Sequence, residues 1–213
     1  MKNIVLYAPP AAGKGTLCES LKLKGYEVIS IGEVLRSART PDTEIGRTII
    51  EAQDKGMLVP DDIVKEALKE ELNRIGDKPI VIEGYPRNIA QAKLLDTVLK
   101  NYIAINLAID KELAKDRTLS RITCSKCGKI YNTKVEDMMP PKNGMCTICG
   151  NELMSRSDDN EKSFDVRFSV YEENSKEILK FYENKNCLYI VDSSKDKEYT
   201  LMQVLKIMGD LND

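Results

Sequence analysis

Histidine is absent from all 213 residues. That removes the commonest general base and argues against hydrolase schemes built on a histidine, which suits chemistry done by positioning and fixed charge. An excess of one charge is missing too: 32 basic against 34 acidic residues leave a formal net charge of -2. Long-range capture of nucleic acid is therefore not expected, and an anion site must be a local gathering of arginine and lysine. Long apolar runs are also lacking. Met1 to Tyr7 meets a Pro/Gly/Ala turn at once, too short for a signal peptide's apolar region or a bilayer span, so a cytoplasmic protein with no membrane partner is expected. Without heptads or a long apolar stripe, a monomer is the expectation.

The length suffices for one α/β core with small inserted lobes, hardly for two full domains. Apolar runs at Lys2 to Tyr7, Glu27 to Ser30, Ile80 to Glu83, Tyr102 to Ile109 and Cys187 to Val191 read as strands. Helical spacing fills the stretches between them, as in Leu17, Cys18 and Leu21, or Leu201, Val204, Leu205 and Met208. Five strands alternating with helices predict a five-stranded parallel sheet with helices on both faces. Two segments interrupt the alternation: Ile31 to Pro60, with helical spacing of its own, and Arg121 to Asp159, with no sustained period. The expected division is a core of 1–29, 60–120 and 159–213, with insertions at 30–59 and 121–158.

The first strand runs into Ala8, Pro9, Pro10, Ala11, Ala12, Gly13, Lys14, Gly15 and Thr16, then a helix. A phosphate loop belongs in this place: bare amides wrap the β-phosphate, a lysine reaches the outer oxygens, and the helix N-terminus favours an anion. The strict pattern is not met. Ala8 stands where the first glycine should be, and Thr16 lies one place after the usual hydroxyl position. Ala8 and Ala11 must sit at negative φ or carry strain on the order of 1 kcal/mol.

Cys124, Cys127, Cys146 and Cys149 make two Cys-x2-Cys knuckles eighteen residues apart, with Gly128 and Gly150 directly after them. Four thiolates at this spacing suit a closed tetrahedral site for structural Zn2+, with iron as a substitute. A lobe of about forty residues cannot bury enough apolar area to hold itself together, which gives the metal a structural task. Cys18 and Cys187 read as buried core thiols. The rival reading of the knuckles, a nucleic-acid-binding zinc ribbon, is poorly served: Lys129, Lys134 and Lys142 are offset by Glu136 and Asp137, and only Tyr131 could stack.

Gly13 to Thr16, the run Ser30, Ile31, Gly32, Glu33, Val34, Leu35, Arg36, and Glu83, Gly84, Tyr85, Pro86, Arg87 together resemble the three signature segments of adenylate kinases. Arg117, Arg121, Arg156 with Asp158 and Asp159, and Arg167 match that family's lid pieces, so the resemblance spans nearly the whole chain. It implies P-loop kinase architecture with 30–59 as the monophosphate-binding insertion and 121–158 as the zinc lid. It also implies reversible conversion of ATP and AMP to two ADP with Mg2+, with ATP, AMP and ADP as the partners. Ala11, Ala12, Gly13, Lys14, Gly15, Thr16, Arg117, Arg121 and Lys195 would hold ATP. Ile31, Arg36, Met57, Val59, Gly84, Arg87, Gln91, Arg156 and Arg167 would hold AMP, with Gln91 reading the base. Lys14, Arg87, Arg121, Arg156 and Arg167 would be the catalytic set, which suits phosphoryl transfer because arginine stays charged and binds oxygens bidentately.

Departures from the family pattern leave alternatives open. Glu33 and Glu83, the expected Mg2+-associated carboxylates, stand where the family usually has aspartate, and the longer arm moves a carboxylate by roughly 1 Å. Ile31 replaces a usual threonine beside the acceptor base, weakening discrimination between bases. Another acceptor such as UMP or CMP, a GTP donor, or a nucleotide-binding homologue with weakened turnover are the competing expectations.

Overall fold

The computed structural model describes residues 1–210. β1 (Asn3–Tyr7) leads through the phosphate loop into α1 (Lys14–Lys22) and β2 (Glu27–Ser30). α2 (Ile31–Ser37), α3 (Glu44–Asp54) and α4 (Asp61–Ile75) precede β3 (Ile80–Glu83). α5 (Ile89–Val98), β4 (Tyr102–Ala108) and α6 (Lys111–Leu119) follow. The second insertion holds β5 (Arg121–Cys124), β6 (Ile130–Asn132) and β7 (Leu153–Met154), and the chain returns through α7 (Glu161–Asn184), β8 (Leu188–Asp192) and α8 (Lys197–Asp210).

The main sheet is five-stranded and wholly parallel, in the order β2-β3-β1-β4-β8. Its strands are apolar on both faces because both are covered. Ile4 and Leu6 pack with Leu17, Leu21 and Val204 of α1 and α8 on one side. Val5 and Tyr7 pack with Leu68, Leu95 and Ile178 of α4, α5 and α7 on the other. Polar caps start the helices: Ser30, Thr43, Asn88, Asp110 and Asn160 each accept from a backbone N–H three residues on. The chain turns from β1 to β2 and β3 on one side, then to β4 and β8 on the other. Parallel sheets leave a ligand crevice at the carboxyl ends beside such a reversal.

The two insertions behave differently. Ile31, Leu35, Ile49 and Val59 belong to the same buried cluster as Ile29 and Ile82, so 30–59 is anchored in the main core. The segment 121–158 has its own small cluster of Cys124, Tyr131 and Cys146. It also forms a three-stranded antiparallel sheet, β6-β5-β7, where no period was expected. Strands of two to four residues are too short to write a pattern; the cysteine knuckles fix them. Cys18 is buried as expected, but Cys187 lies just before β8 and is only half-buried, its thiol donating to the Tyr182 carbonyl at 3.6 Å. Among the described residues no helix is long and apolar enough to cross a membrane.

Candidate active site

A cleft of about 1120 Å3 opens at the carboxyl ends of the strands, bounded by the phosphate loop, α2, the segment after β3, the second insertion and the turn after β8. The loop enters α1 with left-handed backbone at two alternate residues, φ of +55° at Ala11 and +87° at Gly13. Successive turns of this kind aim amides inward as an anion-binding nest. Ala11 therefore takes the strained alternative, while Ala8 is not in that region. The Lys14 ammonium lies back along the loop, donating to the carbonyls of Ala8 at 3.0 Å and Pro9 at 2.8 Å. Burial pushes its pKa down to about 8; Glu83 opposes this, and Arg87, Arg167 and Arg121 add to it. The loop thus holds a cation among cations, a setting that a polyphosphate would relieve.

At the end of β3, Glu83 accepts a hydrogen bond from the Ser30 hydroxyl, the cap of α2. Gly84 has φ of +78°, and a Cβ there would lie 3.4 Å from the Gly32 amide, so the backbone passes where a side chain would crowd it. Arg87 donates through Nε to the Gly84 carbonyl at 3.0 Å. Glu33 pairs with Arg36 and, at 3.3 Å, with Arg156. Burial raises its carboxyl, but the Arg36 bond and the arginine charges outweigh that and hold it below the usual range.

The second insertion, its flanking helices and the turn after β8 contribute the rest. Arg121 forms a two-pronged pair with Asp159, one prong at 2.8 Å, and Arg167 donates to Asp158 at 2.8 Å. Burial lowers Arg167 to about 10; in Arg121 the burial effect is outweighed by Asp159, and the net shift is upward. Arg117 grips the turn after β8, donating to the carbonyls of Ser193 at 2.7 Å, Ser194 at 3.1 Å and Lys195 at 2.8 Å. Lys195 rests over the Tyr199 ring, 4.3 Å from its centre. Further ion pairs tie the second insertion to its neighbours, among them Lys129 to Glu19 at 3.0 Å, Lys134 to Asp116, Asp137 to Lys197, and the Arg156 to Glu33 contact already described.

Ile31, Met57, Val59, Gly84, Arg87 and Gln91 meet around a separate cavity of about 30 Å3. Gln91 is buried and its amide is fixed at both ends: Oε1 accepts from the Arg87 backbone N–H at 2.7 Å, and Nε2 donates to Asp61 Oδ1 at 2.6 Å. Asp61 also accepts from the Asn88 side chain. Nothing in the local pattern around Asp61 signals this role, since its partners lie about thirty residues further along the chain.

The four cysteine sulfurs lie within 4.8 Å of one another. Cys124 and Cys149 are 3.4 Å apart, Cys127 and Cys146 3.5 Å. Backbone N–H groups of Cys127 and Ile148 and the Tyr131 hydroxyl point at the sulfurs, as donors do around metal-bound thiolates. Gly128 and Gly150 have φ near +70°, the turn that each knuckle needs. This donor set fits a tetrahedral divalent metal and offers it no open position.

The adenylate kinase family model matches residues 6–187. A protein named adenylate kinase from Thermosipho melanesiensis is 38% identical over 214 residues, covering 97% of this chain and 99% of its own. Adenylate kinases of Archaeoglobus fulgidus, 36% identical with 97% of each chain covered, and Clostridium tetani, 32% identical with 99% of this chain and 100% of its own, match equally widely. Architecture, cleft and these full-length likenesses agree, and the chain belongs to the adenylate kinase family.

Proposed function

We propose that the chain catalyses the reversible transfer of the γ-phosphoryl group of ATP to AMP, giving two ADP, with the phosphate loop as donor site and the 30–59 insertion as acceptor site. The observation that carries this reading is the gathering of Lys14, Arg36, Arg87, Arg121, Arg156 and Arg167 around one cleft in a chain without histidine. Such a set performs little covalent chemistry and much charge neutralisation, which is what phosphoryl transfer demands.

The Gly13 and Gly15 amides and Lys14 bind the donor's outer phosphates, with Ala11, Ala12 and Thr16 completing the loop. Arg117 and Lys195 flank the donor base. Arg36 and Arg87 hold the acceptor phosphate in line, and Arg121, Arg156 and Arg167 neutralise the oxygens of the group in flight. Ile31, Met57, Val59 and Gly84 form the acceptor-base cavity, with Gln91 reading the base through its remaining N–H. Closure of 121–158 excludes water, so that transfer outruns hydrolysis.

Mg2+ accompanies ATP and supplies further charge neutralisation. Glu83, beside Lys14 at the cleft floor, fits a place in its water shell; Glu33, paired with two arginines, fits that place less well. Structural Zn2+ is held by Cys124, Cys127, Cys146 and Cys149 and takes no part in the chemistry. On this reading the protein acts as a cytoplasmic monomer on free nucleotides.

A coupled ADP-formation assay with ATP and Mg2+, offering AMP, GMP, UMP and CMP in turn, tests the proposal. Rapid turnover with AMP, lost in Lys14→Ala, is expected. Turnover with another monophosphate only would reassign the acceptor site, and none with any would leave a nucleotide-binding homologue.

A further inference from the structure

Two glutamines line the small cavity beside Gly84 and Arg87, and they differ in one respect. The Gln91 amide is pinned by Arg87 and Asp61. Gln53, in the last turn of α3, has its Oε1 buried with no hydrogen-bond partner. Leaving a buried carbonyl oxygen unpaired costs free energy, and native folds rarely tolerate it without a use. The nearby walls are apolar: Ile31, Leu35, Val59 and Val64 offer no donor to it. The slot, about 30 Å3, shares Leu58, Gly84 and Arg87 with the large cleft, so its two amides are placed to read the edge of a flat heterocycle lying mostly in that cleft.

We propose that Gln53 is a specificity-determining residue whose Oε1 accepts a hydrogen bond from the exocyclic amine of the acceptor adenine. This rests on the reading that the acceptor base enters this cavity. Adenine presents its amine, a donor, next to a ring nitrogen that accepts. The remaining N–H of Gln91 serves the ring nitrogen, and Gln53 serves the amine. Hypoxanthine and guanine present a carbonyl in place of the amine, so Oε1 would face another acceptor, and the mismatch rejects them. Ile31 brings no hydroxyl to this wall, which leaves the discrimination to the two amides. Met57, 57% exposed and flexible, lies at the cavity edge and can swing aside to admit the base.

The test compares AMP with purine riboside monophosphate, which lacks only the amine, as acceptors for the wild type, Gln53→Met and Gln91→Met. Gln53→Met keeps the chain length and removes the oxygen. The KM for AMP should rise about tenfold, the value expected for one hydrogen bond, with kcat changed far less. The KM for the amine-free analogue and for ATP should stay at wild-type values, and an unchanged Tm would show the fold intact. Gln53→Glu, which keeps an acceptor oxygen, should recover part of the preference. If Gln53→Met raises the KM of AMP and the analogue equally, or of neither, the assignment of Gln53 is overturned. If Gln91→Met leaves the KM of both AMP and the analogue at wild-type values as well, the placement of the base in this cavity fails with it. A KM raised for both acceptors in Gln91→Met, with the preference intact in Gln53→Met, overturns the Gln53 assignment alone.

Discussion

Arg121 and Asp159 join the two ends of the second insertion: the first residue of β5 is held by a carboxylate just before α7, across 38 residues of sequence. Asp159 is only 1% exposed and Arg121 12%. Removing one member strands a buried charge, at about 3 to 5 kcal/mol. Asp159→Ala is therefore expected to lower Tm by about 10 °C, measured calorimetrically. The double variant Arg121→Met, Asp159→Leu should regain most of that Tm but not turnover, because the guanidinium has gone. A double variant as unstable as the single one would show that the pair is not the cause.

Lys14 gives a pH dependence with a definite sign. Its folded pKa, about 8, lies below the ordinary 10.5. The unfolded chain thus holds the proton more tightly, so this group's contribution to stability is full above 10.5 and is lost as pH falls through 8. Activity runs the other way: kcat/KM for ATP should decline as pH rises through about 8, because the free loop loses its cation. Lys14→Arg, which cannot deprotonate, should lack that limb. A wild-type profile flat from pH 7 to about 9 would refute the assignment.

Ala11 and Ala8 should respond oppositely to glycine. Ala11 sits at φ of +55°, where a Cβ costs about 1 kcal/mol; Ala8 does not. Ala11→Gly should raise Tm by about 1 to 2 °C after the entropy that glycine adds to the unfolded chain, and Ala8→Gly should lower it by a similar amount. Shifts of the same sign at both positions would contradict the backbone reading.

Chelating the metal from the cysteine site should unfold the lid alone. Amide exchange across 121–158 should become fast while the five-stranded sheet stays protected, and turnover should fall at least tenfold. Cys146→Ser should mimic this. Unchanged exchange after verified metal loss would mean that the short strands hold themselves.

Glu83 spends its extra methylene reaching Ser30. Glu83→Asp draws the carboxylate back toward the cleft floor, and turnover should be kept or raised, with less Mg2+ needed for half-maximal rate. A large loss would show that the chain has adapted its metal geometry to glutamate.

The five core strands were legible because parallel strands buried on both faces spell continuous apolar runs; the predicted and observed bounds of Glu27–Ser30 and Ile80–Glu83 coincide. The phosphate loop was legible from its place between strand and helix, despite Ala8 and Ala11. The lid's small sheet was not, since Leu153–Met154 is two residues long and no period fits in two residues. Nor were the partners that orient the site. Gln91 meets Asp61 thirty residues away, and Lys129 meets Glu19 across 110, at distances where local pattern carries no information. Gln53 shows nothing unusual in sequence; only its place in the cavity wall sets it apart.

The lid is tied down by ion pairs that are mostly half-exposed, Lys129 with Glu19 and Lys197 with Asp137 among them. Each such pair contributes about 0 to 1 kcal/mol, comparable to thermal energy. Exposed pairs of this kind are screened by salt, whereas the buried Arg121–Asp159 pair is not. Rising ionic strength therefore loosens the far end of 121–158 while its base stays held.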